Sequence, residues 1–143
     1  MMRQVLLNLY LIHMNPVVRQ AADEELGGCD RIHIIEPVEV FDCYNIMARS
    51  YLILRDFGGI QEESSSLGKP VLVMRDTTEP PEGIEAGTLK LVGTDEETIS
   101  NNFKELLENL DAYNAMARAN NPYGDGKACI RIADILEKGF TNC

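Results

Sequence analysis

Residues 51–73 read YLILRDFGGIQEESSSLGKPVLV. An apolar stretch over residues 51–54 runs into Asp56, Phe57 and the pair Gly58 and Gly59. A helix-compatible segment follows, then Gly68 and a second apolar run from Pro70. This is a strand–turn–helix–strand unit. A strand that turns through paired glycines into a helix start gathers free amide N–H groups and the positive end of a helix dipole at one spot, which suits an anion such as a pyrophosphate. Glycine lets a ligand's oxygens come close to the backbone. The segment lacks the G-x-G-x-x-G dinucleotide pattern, and a lone Gly-Gly after a strand is a weak signal. The same spacing describes a tight βα turn of an ordinary α/β sheet, and spacing alone favours that reading.

The chain has 143 residues, enough for one domain with a real core. Its net charge of −10 argues against duplex DNA or an anionic membrane as a partner. Any phosphate must then be held by backbone dipoles and a few basic side chains against the overall field. No apolar run approaches the ~20 residues of a membrane span. The opening MMRQVLLNLYLI lacks a small-residue cleavage site and reads as a buried strand rather than a signal peptide. Cys29, Cys43, Cys129 and Cys143 are scattered without C-x-x-C spacing, and His13 and His33 are the only histidines. That pattern argues against a metal site or a disulfide framework and fits reduced thiols in the cytoplasm.

Hydrophobic spacing and capping signals give an alternating order. Residues 5–12 read as a fully buried strand. Asn15 caps a helix with Pro16 at its first position, and the helix stops at Gly27 and Gly28. A strand over 31–35, a helix over 38–48, a strand over 51–54 and a helix over 59–67 follow. Strands over 71–74 and 88–92 flank a polar loop with one helical turn. Thr94 or Asp95 caps a helix to about residue 110, and helical pieces over 111–119 and 128–138 close the chain. This order predicts an α/β fold: a parallel sheet with helices on both faces, in one domain over residues 1–143. Ligands of such sheets sit beyond the carboxyl ends of the strands. His13, Glu36 with Pro37, residues 56–59 and residues 75–78 all follow strands directly, so four polar segments converge on that edge.

The motifs HMNPVVR (13–19), RIHIIEPVEV (31–40), GGIQEE (58–63), SLGKPVLVMRDTTE (66–79), PEGIEAGTLKLVGTDEETI (81–99) and NPYGDGKA (121–128), in this order, closely resemble the C-terminal portion of the non-hydrolysing UDP-N-acetylglucosamine 2-epimerases. The resemblance implies a Rossmann-like half of a two-domain, glycosyltransferase-B-type fold with the active site in the interdomain cleft. It makes this chain an N-terminally truncated, incomplete C-terminal nucleotide-binding domain. The family interconverts UDP-N-acetylglucosamine and UDP-N-acetylmannosamine by eliminating UDP and re-adding it to a glycal, without nicotinamide or metal. The implied partner is therefore UDP or a UDP-sugar. A homodimer or a separately encoded N-terminal half are the implied protein partners. A non-catalytic or decayed UDP-binding domain is the alternative.

By the same resemblance, the backbone around Pro37 meets the uracil, and Gly58 and Gly59 present N–H groups to the phosphates. Glu63 accepts from the ribose hydroxyls, Arg75 borders the sugar-phosphate, and His13 faces the cleft and assists catalysis. The bland readings are a first-turn acidic pair for Glu62 and Glu63, a capping histidine for His13, and a loop of Asx and Thr turns after Arg75. Several positions depart from the family pattern. Phe57 stands where a serine is usual, Cys43 and Tyr44 where phenylalanine and histidine are usual, and Pro80 where an arginine is usual. Arg55 replaces a small threonine and restores some positive charge, and Ser64 and Ser65 replace Ala-Pro. A lost phosphate hydroxyl and a lost base-stacking ring cost ~1–2 kcal/mol each, predicting affinity weakened about 10²-fold.

Overall fold

The computed structural model describes residues 6–56, 61–77 and 81–140. The chain divides into two compact units, Met1–Cys43 and Tyr44–Cys143.

The first unit is a β-α-β turn of chain. Strand β1 (Asn8–Leu11) and strand β2 (Ile32–Ile35) pair in parallel, with Asn8 opposite Ile32 and Leu11 opposite Ile35. Helix α1 (Pro16–Leu26) joins them. It starts where the sequence says it should: the Asn15 side chain accepts the Val17 amide at 3.0 Å, and Pro16 occupies the first position, where a missing N–H costs nothing. It ends at Gly27, whose amide returns to the Asp23 carbonyl, and Gly28 takes φ 86°, a conformation glycine adopts without strain. The expected full burial of residues 5–12 does not hold. Ile12 is buried, but Leu7, Leu9, Tyr10 and Leu11 are exposed, Leu9 by 44%. An apolar run fixes strand propensity locally, while burial needs cover on both faces, which a two-stranded ladder with one connecting helix does not supply.

The second unit holds a three-stranded parallel sheet in the order β3 (Ile53–Arg55), β4 (Val71–Val73), β5 (Leu89–Leu91). Helix α2 (Val40–Arg49) precedes it. Helices α3 (Gln61–Ser66) and α4 (Glu82–Glu85) connect the strands. Helices α5 (Glu96–Glu108), α6 (Leu110–Ala117) and α7 (Ala128–Phe140) follow. Alternation along β4 sends its side chains to opposite faces. Val71 and Val73 pack with Leu89, Ile53, Ile84 and Leu91 on one face. Leu72 packs with Val92, Leu106, Ile99 and Phe103 on the other, among residues of α5 and α6. The α/β order read from the sequence is therefore present, with its parallel strands laddered as groups of two and three.

Local chemistry sets the remaining boundaries. Asp95, rather than Thr94, caps α5: its carboxylate accepts the Thr98 amide at 2.8 Å and the Thr98 hydroxyl at 2.7 Å. Asn109 interrupts the expected helix to residue 110 and caps α6 through the Asp111 and Ala112 amides. Strand β3 begins two residues later than the apolar run suggests. Tyr51 instead stacks on Tyr113 with ring centroids 4.2 Å apart, and the Tyr113 hydroxyl donates to the Tyr51 carbonyl. Gly83 is required by close packing, because a Cβ there would meet Leu89 Cδ1 at 2.5 Å and Tyr123 Oη at 2.8 Å.

Leu72 is 0% exposed and Leu54 38% exposed on neighbouring strands. Leu72→Ala should lower unfolding free energy by ~2–5 kcal/mol in a denaturant titration, and Leu54→Ala by less than about 1 kcal/mol. The two Thr98 hydrogen bonds hold the Asp95 carboxyl below its ordinary range. A depressed folded-state pKa contributes stability above the unfolded value and loses it as pH falls through the folded value. Thermal melts taken downward through the carboxylate range should therefore show a steeper loss for the natural chain than for Asp95→Asn, which keeps a capping oxygen but does not titrate.

Candidate functional site

In the first unit, β1 and β2 point the same way, so the residues after each strand share one carboxyl edge. His13 and Pro37 are both exposed there. The Asn15 amide donates to His13 Nδ1 at 3.1 Å, which fixes the neutral ring's proton on Nε2. His13 thus does what a capping-loop histidine does and still presents Nε2. In the same unit, Arg19 of α1 grips Glu36 with two parallel bonds, Nη1 to Oε1 at 2.7 Å and Nη2 to Oε2. This fork holds the Glu36 carboxyl low and the Arg19 guanidinium high. It ties the loop that carries Pro37 to α1. The sequence reading did not foresee the pair; the arginine closing HMNPVVR and the glutamate opening EPVEV were its only signal.

In the second unit, the carboxyl edge of β3–β4–β5 carries Arg55 and Arg75. Arg55 is the last residue of β3, opposite Val73 in register, and its carbonyl accepts the Met74 amide at 2.8 Å. Arg75 lies two residues past the end of β4 and is exposed. Glu63 stands on α3. The Tyr44 hydroxyl of α2 donates to its Oε1 at 3.2 Å, while Oε2 is buried and has no donor among the described residues. An ionised carboxylate accepts through both oxygens, so a buried oxygen without a donor is an open acceptor. Tyr44 is a contact that sequence reasoning recorded only as a departure from a family histidine. Gly58 and Gly59, assigned to the phosphates, lie outside the described residues, as do Phe57, Glu79 and Pro80.

Helix α3 is held by polar contacts beneath it. Ser65 Oγ, buried, donates to Thr88 Oγ1 at 3.0 Å, and that hydroxyl donates to the Gly83 carbonyl at 3.1 Å. Asn121 Nδ2 donates to Ser66 Oγ at 3.0 Å and to the Gly124 carbonyl at 3.0 Å, which anchors the NPYG turn on α3. Arg55 is buried, at 4% exposure. Its burial pulls the guanidinium below the ordinary arginine value. Nearby Tyr123, Glu63 and Asp56 favour its protonated form, and Arg75 opposes it. Among the described residues, no group of three or more His, Cys, Asp or Glu side chains is placed to hold a metal ion. None of the helices described is long and apolar enough to cross a membrane.

This arrangement can accept hydroxyl donors at Glu63 and attract an anion to the edge between Arg55 and Arg75. The sequence model of the UDP-N-acetylglucosamine 2-epimerase family matches residues 3–137. The UDP-N-acetylglucosamine 2-epimerase of Bacillus subtilis (strain 168) is 59% identical over 128 residues, which is 90% of this chain and 34% of that protein. A crystal structure of a UDP-N-acetylglucosamine 2-epimerase matches with a TM-score of 0.88 at 56% identity, over 94% of this chain and 36% of the other. The UDP-GlcNAc 2-epimerase of Neisseria meningitidis, solved bound to UDP-GlcNAc, matches with a TM-score of 0.86 at 46% identity, over 91% of this chain and 36% of its own. The chain spans about a third of the length of the relatives it matches. A family match that runs through nearly all of these residues, joined to the shared parallel α/β fold, places the protein in the UDP-N-acetylglucosamine 2-epimerase family.

Proposed function

We propose that this chain is the UDP-holding portion of an isomerase that interconverts UDP-N-acetylglucosamine and UDP-N-acetylmannosamine. On this reading residues 1–143 form one incomplete C-terminal nucleotide-binding domain, working in the cytoplasm. Alone, it binds the UDP moiety and turns over little or no substrate. The observation that carries the reading is Glu63: a carboxylate in the GGIQEE motif whose Oε1 is bonded by Tyr44 and whose buried Oε2 has no donor among the described residues. Two adjacent hydroxyls of a ribose are donors of the right kind for such a group.

The other roles follow the family pattern residue by residue. The backbone around Pro37 meets the uracil, and the amides of Gly58 and Gly59 face the phosphates. Arg75 borders the sugar-phosphate, and His13 assists catalysis from the first unit with its Nε2. Elimination of UDP breaks the bond from the anomeric carbon to the phosphate oxygen and removes a proton from the neighbouring sugar carbon. Re-addition re-forms the bond from the anomeric carbon to the phosphate oxygen with its original configuration and returns a proton to the neighbouring carbon from the opposite face. Groups that move that proton must lie within hydrogen-bond reach of the sugar. On this reading the carboxylates among them come largely from the part of the family's members that this chain does not span, with His13 assisting. A reading in which the chain works only when assembled, with a second copy or a separately encoded N-terminal half, is favoured by α7. Its Ile130, Ile132, Ile135 and Leu136 are all more than half exposed.

Titration calorimetry should show UDP binding, and 2′,3′-dideoxy-UDP should bind ~10–100-fold more weakly, the worth of hydrogen bonds to a charged acceptor. Glu63→Ala should erase that discrimination. No measurable UDP binding, or equal discrimination in the variant, would refute the assignment. In a coupled assay the chain alone should not convert UDP-N-acetylglucosamine above background, and adding the purified N-terminal portion of a relative should restore turnover. Conversion by the chain alone at a relative's normal rate refutes the half-site reading.

A further inference from the structure

We propose that Arg55 is a diphosphate-binding residue, its buried guanidinium completed by an anionic ligand rather than by the protein. The proposal rests on the UDP reading of the same site and adds to it a residue that the family pattern does not assign.

The side chain is 4% exposed, and none of Nε, Nη1 and Nη2 has a hydrogen-bond partner among the described residues. Guanidinium carries five donors and keeps its charge in proteins. A buried charge without a partner is strongly destabilising, so native proteins rarely leave one. Arg19 pairs with Glu36, Lys90 with Glu105, and Arg131 with Asp125, whereas Arg55 makes no ion pair among the described residues. Glu63 and Asp56 are near enough to attract it, but neither closes a salt bridge.

A second cation lies close enough to act on the first. Arg75 follows β4, the strand paired with β3, and its charge opposes that of Arg55. Arg75 also makes no ion pair among the described residues. Two like charges at one sheet edge repel each other until an anion lies between them. Asp56 and Arg75 are exposed, so this edge is open to solvent beside the strand end that carries Arg55. The planar fork of arginine matches two oxygens of a phosphate, a geometry that lysine lacks. A diphosphate brings enough charge and oxygens for both arginines. Glu63 Oε2, also without a partner among the described residues, is left for a hydroxyl of the same ligand instead of being drawn into a protein salt bridge.

The full chain and its Arg55→Thr and Arg55→Lys variants would be titrated with pyrophosphate, UDP and uridine, and melted without ligand. The natural chain should bind pyrophosphate and UDP, and Arg55→Thr should weaken both at least tenfold while leaving uridine unchanged. Arg55→Lys should recover only part of the loss. Without ligand, Arg55→Thr should melt higher than the natural chain, because it removes an uncompensated buried charge. Pyrophosphate binding that depends on Arg55, with no selective binding of UDP over pyrophosphate, would sink the nucleotide reading and keep this one. UDP binding unchanged in Arg55→Thr would keep the nucleotide reading and sink this one. A lower melting point in both variants with ligand binding unchanged would also overturn it, since Arg55 would then be a structural partner of Glu63. If Arg55→Thr fails to fold, Arg55→Lys decides alone: undiminished pyrophosphate binding refutes the fork.

Discussion

Strand β4 is paired along both edges and covered on both faces, and the second unit is organised around that fact. Val71, Leu72 and Val73 have no exposed surface. Three residues suffice because each is used: two side chains point into one apolar cluster and one into the other, while the backbone feeds a parallel partner on each side. Removing apolar surface from water on both faces at once is the strongest stabilisation available to so short a strand. It also fixes where the strand ends, and therefore where the chain emerges at Met74 and Arg75. The Met74 amide bonded to the Arg55 carbonyl locks the ends of β3 and β4 together. The two arginines owe their shared position to this core.

A second layer converts packing into placement. Buried hydroxyls on α3 and before β5 join Ser65, Thr88 and the Gly83 carbonyl into one chain of donors. Each buried polar group there has a partner, so the helix that carries Glu63 is held against its neighbours without leaving a donor unused. The family resemblance reads Ser65 as replacing a proline, and its hydroxyl donates to Thr88. The substitution is structurally absorbed, in contrast with Arg55, whose polar atoms are not.

The sequence discloses features whose cause is local. Asn15 and Asp95 cap helices because a short polar side chain reaches amides two or three residues on, and the glycines after α1 stop it for equally local reasons. The order of strands and helices follows from periodicity in the same way. Features decided by distant contacts stayed hidden. Tyr51 looks like the start of a strand, yet its ring stacks on Tyr113, sixty-two positions on. Apolar residues 7–11 look like core, but sequence carries no record of which faces will be covered. In the candidate site, GGIQEE singled out Glu63 only through family resemblance, since two adjacent acids at a helix start are ordinary helix electrostatics. The open Oε2 and the Tyr44 contact on Oε1 belong to three-dimensional placement. So does the Arg19–Glu36 fork, formed across seventeen positions by two side chains that look solvated.

Charge supply sharpens the meaning of Arg55. The sequence contains 23 acidic and 13 basic residues, so a cation in this chain is rarely short of carboxylates. Arg19, Lys90 and Arg131, each paired with a carboxylate, are partly or largely exposed, where such a bridge contributes little. The buried one, for which a partner would matter most, has none among the described residues. Carboxylate number is therefore not the limit; position is. Glu63 is close enough to attract Arg55 yet is oriented by Tyr44 to offer its second oxygen elsewhere. An acidic protein that must hold an acidic ligand faces repulsion from its own field. Keeping one desolvated guanidinium unquenched offsets that repulsion where it counts, at a cost in folding stability that ligand binding returns through linkage. Had Arg55 and Glu63 closed on each other, the fold would gain a buried pair, and the edge would lose both its unpaired cation and its unpaired acceptor.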